Sequence, residues 1–117
     1  MMNIDLSPEA LGDLEYLKSN ITSGFGGKIA IKVLKGIMSD LHNLELFPDS
    51  GSNEIFRKFN IDTDYLYLVT HKNLAFYRIE GENVRIIRIL DERRDIICVL
   101  FGIKVVPDGD DEDYWFE

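Results

Sequence analysis

The clearest pattern in the chain is a period of two between residues 74 and 90, in which Leu74, Phe76, Arg78 and Glu80, for example, alternate with Ala75, Tyr77 and Ile79. β-Branched and aromatic residues dominate it, and a period of two with such residues is typical of β-strands. The polar group Glu80-Gly81-Glu82-Asn83 divides the alternation into two halves. Because glycine and asparagine favour tight turns, the sequence predicts a β-hairpin here.

Two shorter segments upstream carry the same strand pattern. Residues 55–61 read IFRKFNI, and residues 65–69 read YLYLV. Polar turn residues separate these segments from each other and from the hairpin. Because short turns join antiparallel neighbours, the four segments between residues 55 and 90 are predicted to form an antiparallel meander.

Before Pro48 the apolar residues follow a helical period instead. Ser7 is a suitable N-cap and Pro8 suits the first position of a helix. This helix is predicted to end at a flexible loop, residues 22–27, and a second helix with a strong apolar stripe spans residues 28–46. Residues 2–6 predict a short strand, and residues 95–100 predict a short closing helix.

These elements predict a single α+β domain. An N-terminal strand and a helical hairpin pack on the antiparallel β-meander, and a short C-terminal helix follows. We expect residues 1–103 to form the domain and residues 104–117 to form an acidic tail outside it. The predicted core positions lie on the apolar faces of their elements: Leu14, Leu17, Leu34, Ile37, Leu41, Phe76 and Ile86.

Charge is distributed unevenly along the chain. The 117 residues carry a net charge of -8, but the last ten hold six acids and no base. The remainder, with 15 acids and 13 bases, is close to neutral. This balance argues against nucleic-acid binding driven by phosphate neutralisation alone, although action on RNA inside a larger assembly stays open. The tail ends in Tyr114-Trp115-Phe116, which either forms a disordered terminus or docks on the domain or on a neighbour.

Targeting and metal signals are not found in the sequence. The N-terminus is acidic and has no apolar segment typical of a signal peptide, and the apolar runs are too short to cross a bilayer. We therefore expect a cytoplasmic protein that does not contact membranes. Cys98 lies in an apolar segment and is expected to be a buried, inert thiol. One cysteine and two distant histidines make no zinc pattern, so neither a metal nor a cofactor is predicted.

Arginines are concentrated on the predicted hairpin and directly after it. Their charges could stabilise a phosphate in a transition state. If Arg78 and Arg88 share one face of adjacent strands, their guanidinium groups could converge near Arg57. The candidate site residues are Arg57, Arg78, Arg88, Arg93 and Arg94.

A cluster of arginines requires anions, because like charges repel and burial removes water. Asp91, Glu92 and Asp95 could neutralise the arginines internally. Alternatively, the anion is external, such as an RNA phosphate or an acidic surface of a partner protein. Both interpretations stay open at this point.

Metal-free RNA cleavage also requires groups that accept and donate protons. Arginine cannot do this near neutral pH. Tyr77, His71 and Glu80 are the alternatives on the predicted strands and turns. However, Tyr77 alternates with apolar residues and is predicted to lie in the core, and His71 is predicted to be a surface residue in a turn. The residues therefore permit either a ribonuclease or a binding protein without catalytic chemistry.

The order and spacing of several short motifs resemble those of the RelE/ParE family of toxins, often called plasmid stabilization proteins. The resemblance spans about residues 3–102. The motifs are Ser7-Pro8-Glu9-Ala10, Phe47-Pro48-x-x-Gly51, Asp64-Tyr65, Phe76-Tyr77-Arg78, Arg88-Ile89-Leu90, Arg93-Arg94-Asp95 and Leu100-Phe101-Gly102.

Three positions depart from the pattern of this family. Leu66 stands where related chains often carry arginine, and Asp91-Glu92 stands where they often carry His or Tyr followed by Gly. No tyrosine or histidine lies between Arg94 and Gly102, where RelE-like ribonucleases tend to have one.

The resemblance implies a small α+β toxin from a bacterial type II toxin–antitoxin module, neutralised by a cognate antitoxin that wraps it. RelE-like members cleave mRNA on the ribosome, whereas ParE-like members poison DNA gyrase. A third alternative is a degenerate, non-catalytic member that acts only as a protein-binding module. A homodimer, or a heterotetramer with the antitoxin, is compatible with each of these. Lys28, Lys32 and Lys35, on one side of the second helix, form a further surface for an acidic partner.

Overall fold

The computed structural model describes residues 1–102, and the predicted tail lies outside these residues. Two 3-10 turns, Asn43–Glu45 and Pro48–Ser50, connect the second helix to the third. In chain order the helices and strands are β1 (Asn3–Leu6), α1 (Pro8–Phe25), α2 (Gly27–His42), α3 (Glu54–Lys58), β2 (Leu66–Thr70), β3 (Asn73–Glu80), β4 (Asn83–Asp91) and α4 (Ile96–Phe101).

The strands form one sheet in the order β1-β4-β3-β2. β2, β3 and β4 are antiparallel neighbours, which confirms the predicted meander for these three strands. β1 pairs with β4 in parallel, so the sheet is mixed. The register between β3 and β4 shifts between Phe76 and Tyr77, as at a β-bulge. The α+β class, the helical hairpin and the short last helix are as predicted.

The prediction that residues 55–61 form a strand is wrong, because this segment contains the short helix α3. Ile55, Phe56 and Phe59 fit a helical spacing, whereas Ile55, Phe59 and Ile61 fit a period of two. The chain leaves α3 through Asn60, whose φ of 56° ends the helix in the left-handed region. The meander therefore begins with β2 at Leu66.

Burial of Phe56 explains why the helix forms. Its ring is 1% exposed and lies 6.0 Å from the rings of Tyr67 and Phe76 and 5.8 Å from that of Phe101. A helical turn presents this one ring to the sheet and to α4 at the same time. Such long-range aromatic contacts cannot be read from the local pattern, and they decide between the two periods.

The two long helices are joined more tightly than predicted. The expected loop at residues 22–27 is reduced to Gly26, because α1 continues to Phe25 and α2 begins at Gly27. Gly26 has a φ of 95°, a conformation that L side chains rarely adopt. α2 ends at His42, earlier than predicted, and a 3-10 turn completes the segment.

The start of α1 is attached to the edge of β4. The Ser7 hydroxyl accepts a hydrogen bond from the Ala10 amide at 3.0 Å, which confirms Ser7 as the N-cap. It also donates to the carbonyl of Ile87 at 2.7 Å. β1 pairs with β4 only as far as Ile86. The hydroxyl of Ser7 therefore gives the Ile87 carbonyl a hydrogen-bond partner on the part of the β4 edge that no strand covers.

Apolar clusters cover both faces of the sheet. The helical hairpin packs on one face, around Ala75, Tyr77 and Ile86, and α3 and α4 pack on the other, around Phe76 and Leu90. Among the predicted core residues, Ile37, Leu41, Phe76 and Ile86 are fully buried. The others, Leu14, Leu17 and Leu34, are only partly buried.

The prediction that Cys98 is buried is wrong, because its side chain is exposed. Ile96 and Ile97 of α4 are buried, and Leu100 and Phe101, four residues further on, are partly buried. Residues spaced by four lie on one helical face. Cys98 lies on another side of this helix, away from the sheet.

Candidate functional site

The end of β4 and the turn after it form a groove with the exposed side of α1. This α1–β4 groove has a volume of about 490 Å³. It is lined by Asp13, Tyr16, Leu17, Asn20, Asn73, Ile89, Leu90, Asp91, Arg93 and Arg94. Two of the five predicted site residues, Arg93 and Arg94, therefore lie in one groove.

The turn that follows β4 positions these two arginines. The Asp91 carboxylate accepts hydrogen bonds from the Arg93 backbone amide at 2.8 Å and from its guanidinium Nε and Nη2 at 3.0 Å each. These bonds lower the pKa of Asp91 and raise the pKa of Arg93. The Arg93 side chain is nevertheless 86% exposed. Arg94 is also exposed and forms no ion pair within residues 1–102, so it offers a free cation.

Arg88 reaches the groove only through its partner, Asp13. The Arg88 Nε and Nη2 donate to the two Asp13 oxygens at 2.8 and 2.9 Å. One of these oxygens also accepts the Ile89 backbone amide at 2.9 Å. The hydrogen bond to Asp13 raises the pKa of Arg88. Arg88 is thus a structural residue that joins α1 to the uncovered edge of β4, and Asp13 supplies the wall of the groove.

Arg78 and Arg57 are placed elsewhere. Arg78 lies opposite Arg85 near the hairpin turn, and its Nε lies 3.1 Å from the Glu80 carboxylate. Arg57 lies exposed on α3 instead of on a strand. Arg88 is opposite Phe76 in the register, so it shares a face of the sheet with Arg78, but the two arginines have different acidic partners. Four arginines each have an acidic partner: Arg78, Arg85, Arg88 and Arg93. The partner of Arg93 is Asp91, one of the three acids that the sequence suggested for neutralising the arginines.

Asp95 has a different role from the one considered in the sequence. Its side chain accepts the Cys98 amide at 3.3 Å and caps α4. The Arg93-Arg94-Asp95 motif therefore combines an ion-paired arginine, a free arginine and a helix cap. Sequence reasoning missed Asp13, Tyr16 and Asn20, which a spacing of three to four residues places on one side of α1. The helical spacing of these three polar residues was visible in the sequence and could have indicated a shared surface.

A second groove continues from the first. We call it the hairpin groove, because residues of the α1–α2 hairpin form one side of it. It has a volume of about 470 Å³ and shares Leu17, Asn73 and Asp91 with the α1–β4 groove. Its remaining lining residues are Ile21, Phe25, Ile29, Val33, His71 and Lys72. In the hairpin groove the helical bank is apolar, and the opposite bank is polar and carries Lys72. In the α1–β4 groove the helical bank is mostly polar, and the opposite bank carries Arg93 and Arg94 beside Asp91.

Of the three candidate proton-transfer residues, Tyr77 and Glu80 line neither groove, and Glu80 is paired with Arg78. The Tyr77 hydroxyl donates to the Pro48 carbonyl at 2.8 Å and accepts the Gly51 amide at 2.9 Å, and burial raises its pKa. A Cβ at Gly51 would lie 2.4 Å from this hydroxyl. The Phe47-Pro48-x-x-Gly51 motif therefore supplies the hydrogen-bond partners of the Tyr77 hydroxyl. Tyr77 lies in the core, as predicted.

His71 is confirmed as a turn residue. It and Lys72 have φ values of 49° and 63°, as in the tight turns that join antiparallel strands. Its ring rests on α2, where a Cβ at Gly36 would lie 2.3 Å from Nε2. The imidazole therefore packs on a helix at the rim of the hairpin groove.

Tyr77→Phe is expected to lower the free energy of unfolding by about 1–2 kcal/mol, because it leaves a buried donor and acceptor without a partner. Chemical denaturation measures the effect. Tyr16→Phe, at a side chain 66% exposed, is the matched control. Wild-type stability of the Tyr77→Phe protein would contradict the two hydrogen bonds described for this hydroxyl.

Comparison with solved structures shows that the fold is shared with a known protein. A solved structure described as the chromosomal ParDE TA system from P. aeruginosa has a chain that matches with a TM-score of 0.65 and 20% sequence identity. The match covers 78% of this chain and 96% of that chain. No curated protein sequence matches. No helix within residues 1–102 is long and apolar enough to span a membrane.

The family itself is shown by the sequence. Residues 4–96 match the family model described as the ParE toxin of the type II toxin-antitoxin system, parDE. Because the match covers most of the chain, this protein belongs to the ParE toxin family of type II toxin–antitoxin systems.

Proposed function

We propose that this toxin inhibits growth by binding DNA gyrase without catalytic chemistry of its own, and that a cognate antitoxin neutralises it. The observation that carries the proposal is the state of the polar groups in the α1–β4 groove. Both of its carboxylates, Asp13 and Asp91, are already bound to arginines. The groove therefore offers cations for binding, but its carboxylates are poorly suited to proton transfer.

Ribonuclease chemistry is the less favoured alternative. A general base works best with a pKa near the operating pH. The pKa of Asp91 is lowered instead, and that of Tyr77 is raised. Arg94 can stabilise charge but cannot transfer protons near neutral pH.

Protein binding fits the exposed side chains of the groove. Tyr16 is 66% exposed, and it lines the same groove as the exposed Arg93 and Arg94, across from them. Tyrosine and arginine are enriched among the residues that contribute most to protein–protein binding. An acidic surface of gyrase would complement these cations.

The exposed apolar residues of the hairpin support binding of an antitoxin. Phe25 and Ile29 line the same groove and are 73% and 47% exposed. Neighbouring exposed apolar residues on a small domain are typical of a surface that a partner covers. A homodimer, or a heterotetramer with antitoxin, stays a prediction.

The test combines two purified systems. Toxin is added to gyrase with supercoiled plasmid, and separately to a translating extract in which mRNA cleavage is followed. We expect gyrase inhibition with trapped cleaved DNA, and intact mRNA. Arg94→Glu is expected to weaken gyrase inhibition by about 10-fold or more, the equivalent of about 1.4 kcal/mol. Arg57→Glu, the same charge change at an exposed arginine on α3, is the matched control and is expected to leave it unchanged.

Ribosome-dependent mRNA cleavage with unaffected gyrase would contradict the proposal and favour the ribonuclease. Activity in neither system, together with harmless overexpression, would favour the degenerate, antitoxin-binding alternative. Pulse-labelling of DNA and protein synthesis after induction gives the same distinction in cells.

A further inference from the structure

The hairpin groove has an apolar helical bank, and exposed cations lie along the opposite side of both grooves. The apolar bank and the cations each need a different kind of ligand group. On the helical bank, Phe25 is 73% exposed and Ile29 is 47% exposed. On the opposite bank, Lys72 and Arg94 form no ion pair with any residue from 1 to 102. A ligand that covers both banks must carry acids next to large apolar groups.

The end of this chain has that composition. Residues 108–113 read DGDDED, and Tyr114, Trp115 and Phe116 follow directly. Five acids in six positions can meet Lys72 and Arg94, and three consecutive aromatic rings can cover the apolar bank. The order of the two groups along the tail matches their order along the groove, since Arg94 belongs to the part nearer α4 and Phe25 to the part beyond it.

The tail is also long enough to reach the groove. α4 has six residues and begins two positions after Arg94, so at 1.5 Å per residue it carries the chain only about 9 Å away. The first tail acid, Asp108, is six residues beyond Gly102, and an extended chain of that length spans about 20 Å. The acids can therefore return to Arg94, and the aromatic residues can extend further, to the hairpin groove.

We propose that the C-terminal tail of this chain docks in its own α1–β4 and hairpin grooves, with its acids on Lys72 and Arg94 and its terminal aromatic residues on the apolar bank. A partner that uses this surface then has to displace the tail. The proposal concerns the tail and the groove only, and it does not depend on gyrase being the target.

The exposed cations of α3 are the main rival surface. Arg57 and Lys58 lie in the last turn of α3, the helix that contacts Phe101 of α4 through Phe56. They could attract the acids of the tail. However, the apolar residues beside them, Ile55 and Phe59, are packed against the core beneath α3 and leave less apolar surface for three aromatic rings.

Trp115 makes the proposal directly testable, because it is the only tryptophan of the chain. Its fluorescence in the full-length protein is recorded with selective excitation, together with quenching by acrylamide. A docked tail is expected to give a blue-shifted emission and weak quenching. The double variant Lys72→Glu/Arg94→Glu is expected to shift the emission to the red and to increase quenching several-fold. The control Arg57→Glu/Lys58→Glu, with the same change of charge, is expected to leave both quantities unchanged.

A second variant removes the negative charges of the tail instead of the cations of the groove. Replacing Asp110, Asp111, Glu112 and Asp113 by their amides changes only tail residues, so the packing of the domain is preserved. It is expected to release Trp115 in the same way, and circular dichroism checks the fold of every variant. Solvent-exposed Trp115 in the wild-type protein would overturn the proposal, as would release by the α3 control alone. A blue-shifted signal that disappears on dilution would assign the groove to the tail of a second copy instead.

Discussion

Leu41→Ala is expected to lower the free energy of unfolding by about 2–5 kcal/mol. Leu41 is 0% exposed and lies in the cluster between the helical hairpin and the sheet, together with Ile37 and Tyr77. The loss combines the transfer free energy of the removed methyl groups with the cost of the cavity that remains. The measurement is chemical denaturation followed by circular dichroism, with the midpoint and the slope fitted separately.

Leu46→Ala provides the matched control. Leu46 has the same side chain but is 66% exposed, and its replacement is expected to change stability by no more than about 0.5 kcal/mol. Equal denaturation midpoints for Leu41→Ala and the wild-type protein would show that the hairpin does not pack on the sheet as described.

Asp13→Ala is expected to lower the free energy of unfolding by about 2–3 kcal/mol, because it removes charge-assisted hydrogen bonds and leaves their donors unpaired. The carboxylate receives the Arg88 guanidinium through two hydrogen bonds and the Ile89 amide through a third. Its side chain is 14% exposed and that of Arg88 is 26% exposed, so water replaces these bonds poorly. Thermal and chemical denaturation measure the effect.

Two further variants identify its cause. Asp5→Ala removes the partner of Arg85, but Asp5 is 54% exposed, so the cost is expected to stay below about 1 kcal/mol. A double-mutant cycle of Asp13→Ala with Arg88→Ala isolates the coupling between the two side chains. A coupling energy close to zero would mean that the groove wall is held by the helix packing and not by this ion pair.

Local sequence signals were sufficient to predict features that depend only on residues close together in the chain. The N-cap at Ser7, the hairpin turn at Gly81 and the alternation of β3 and β4 all appear as predicted, because each depends on residues within a few positions. The same holds for the tyrosine at position 77, whose apolar neighbours indicated a core position.

Local signals failed where two periods fit the same residues. The segment of α3 satisfied a strand pattern, and only the burial of Phe56 among rings from β2, β3 and α4 decided for a helix. The exposure of Cys98 could have been predicted, because helical spacing separates it from the buried face of α4.

The sequence by itself determined the α+β class, the helical hairpin, the last three strands of the meander and the toxin family, because these follow from periodicity and from the order of short motifs. Only the tertiary structure decided how the arginines are used. It pairs Arg88 with Asp13, which is 75 residues away in the chain, and leaves Arg94 free beside a groove that α1 completes. Charges that are far apart in sequence find their partners only when the sheet and helices bring them together, so an arginine motif alone cannot distinguish an ion pair from a binding site.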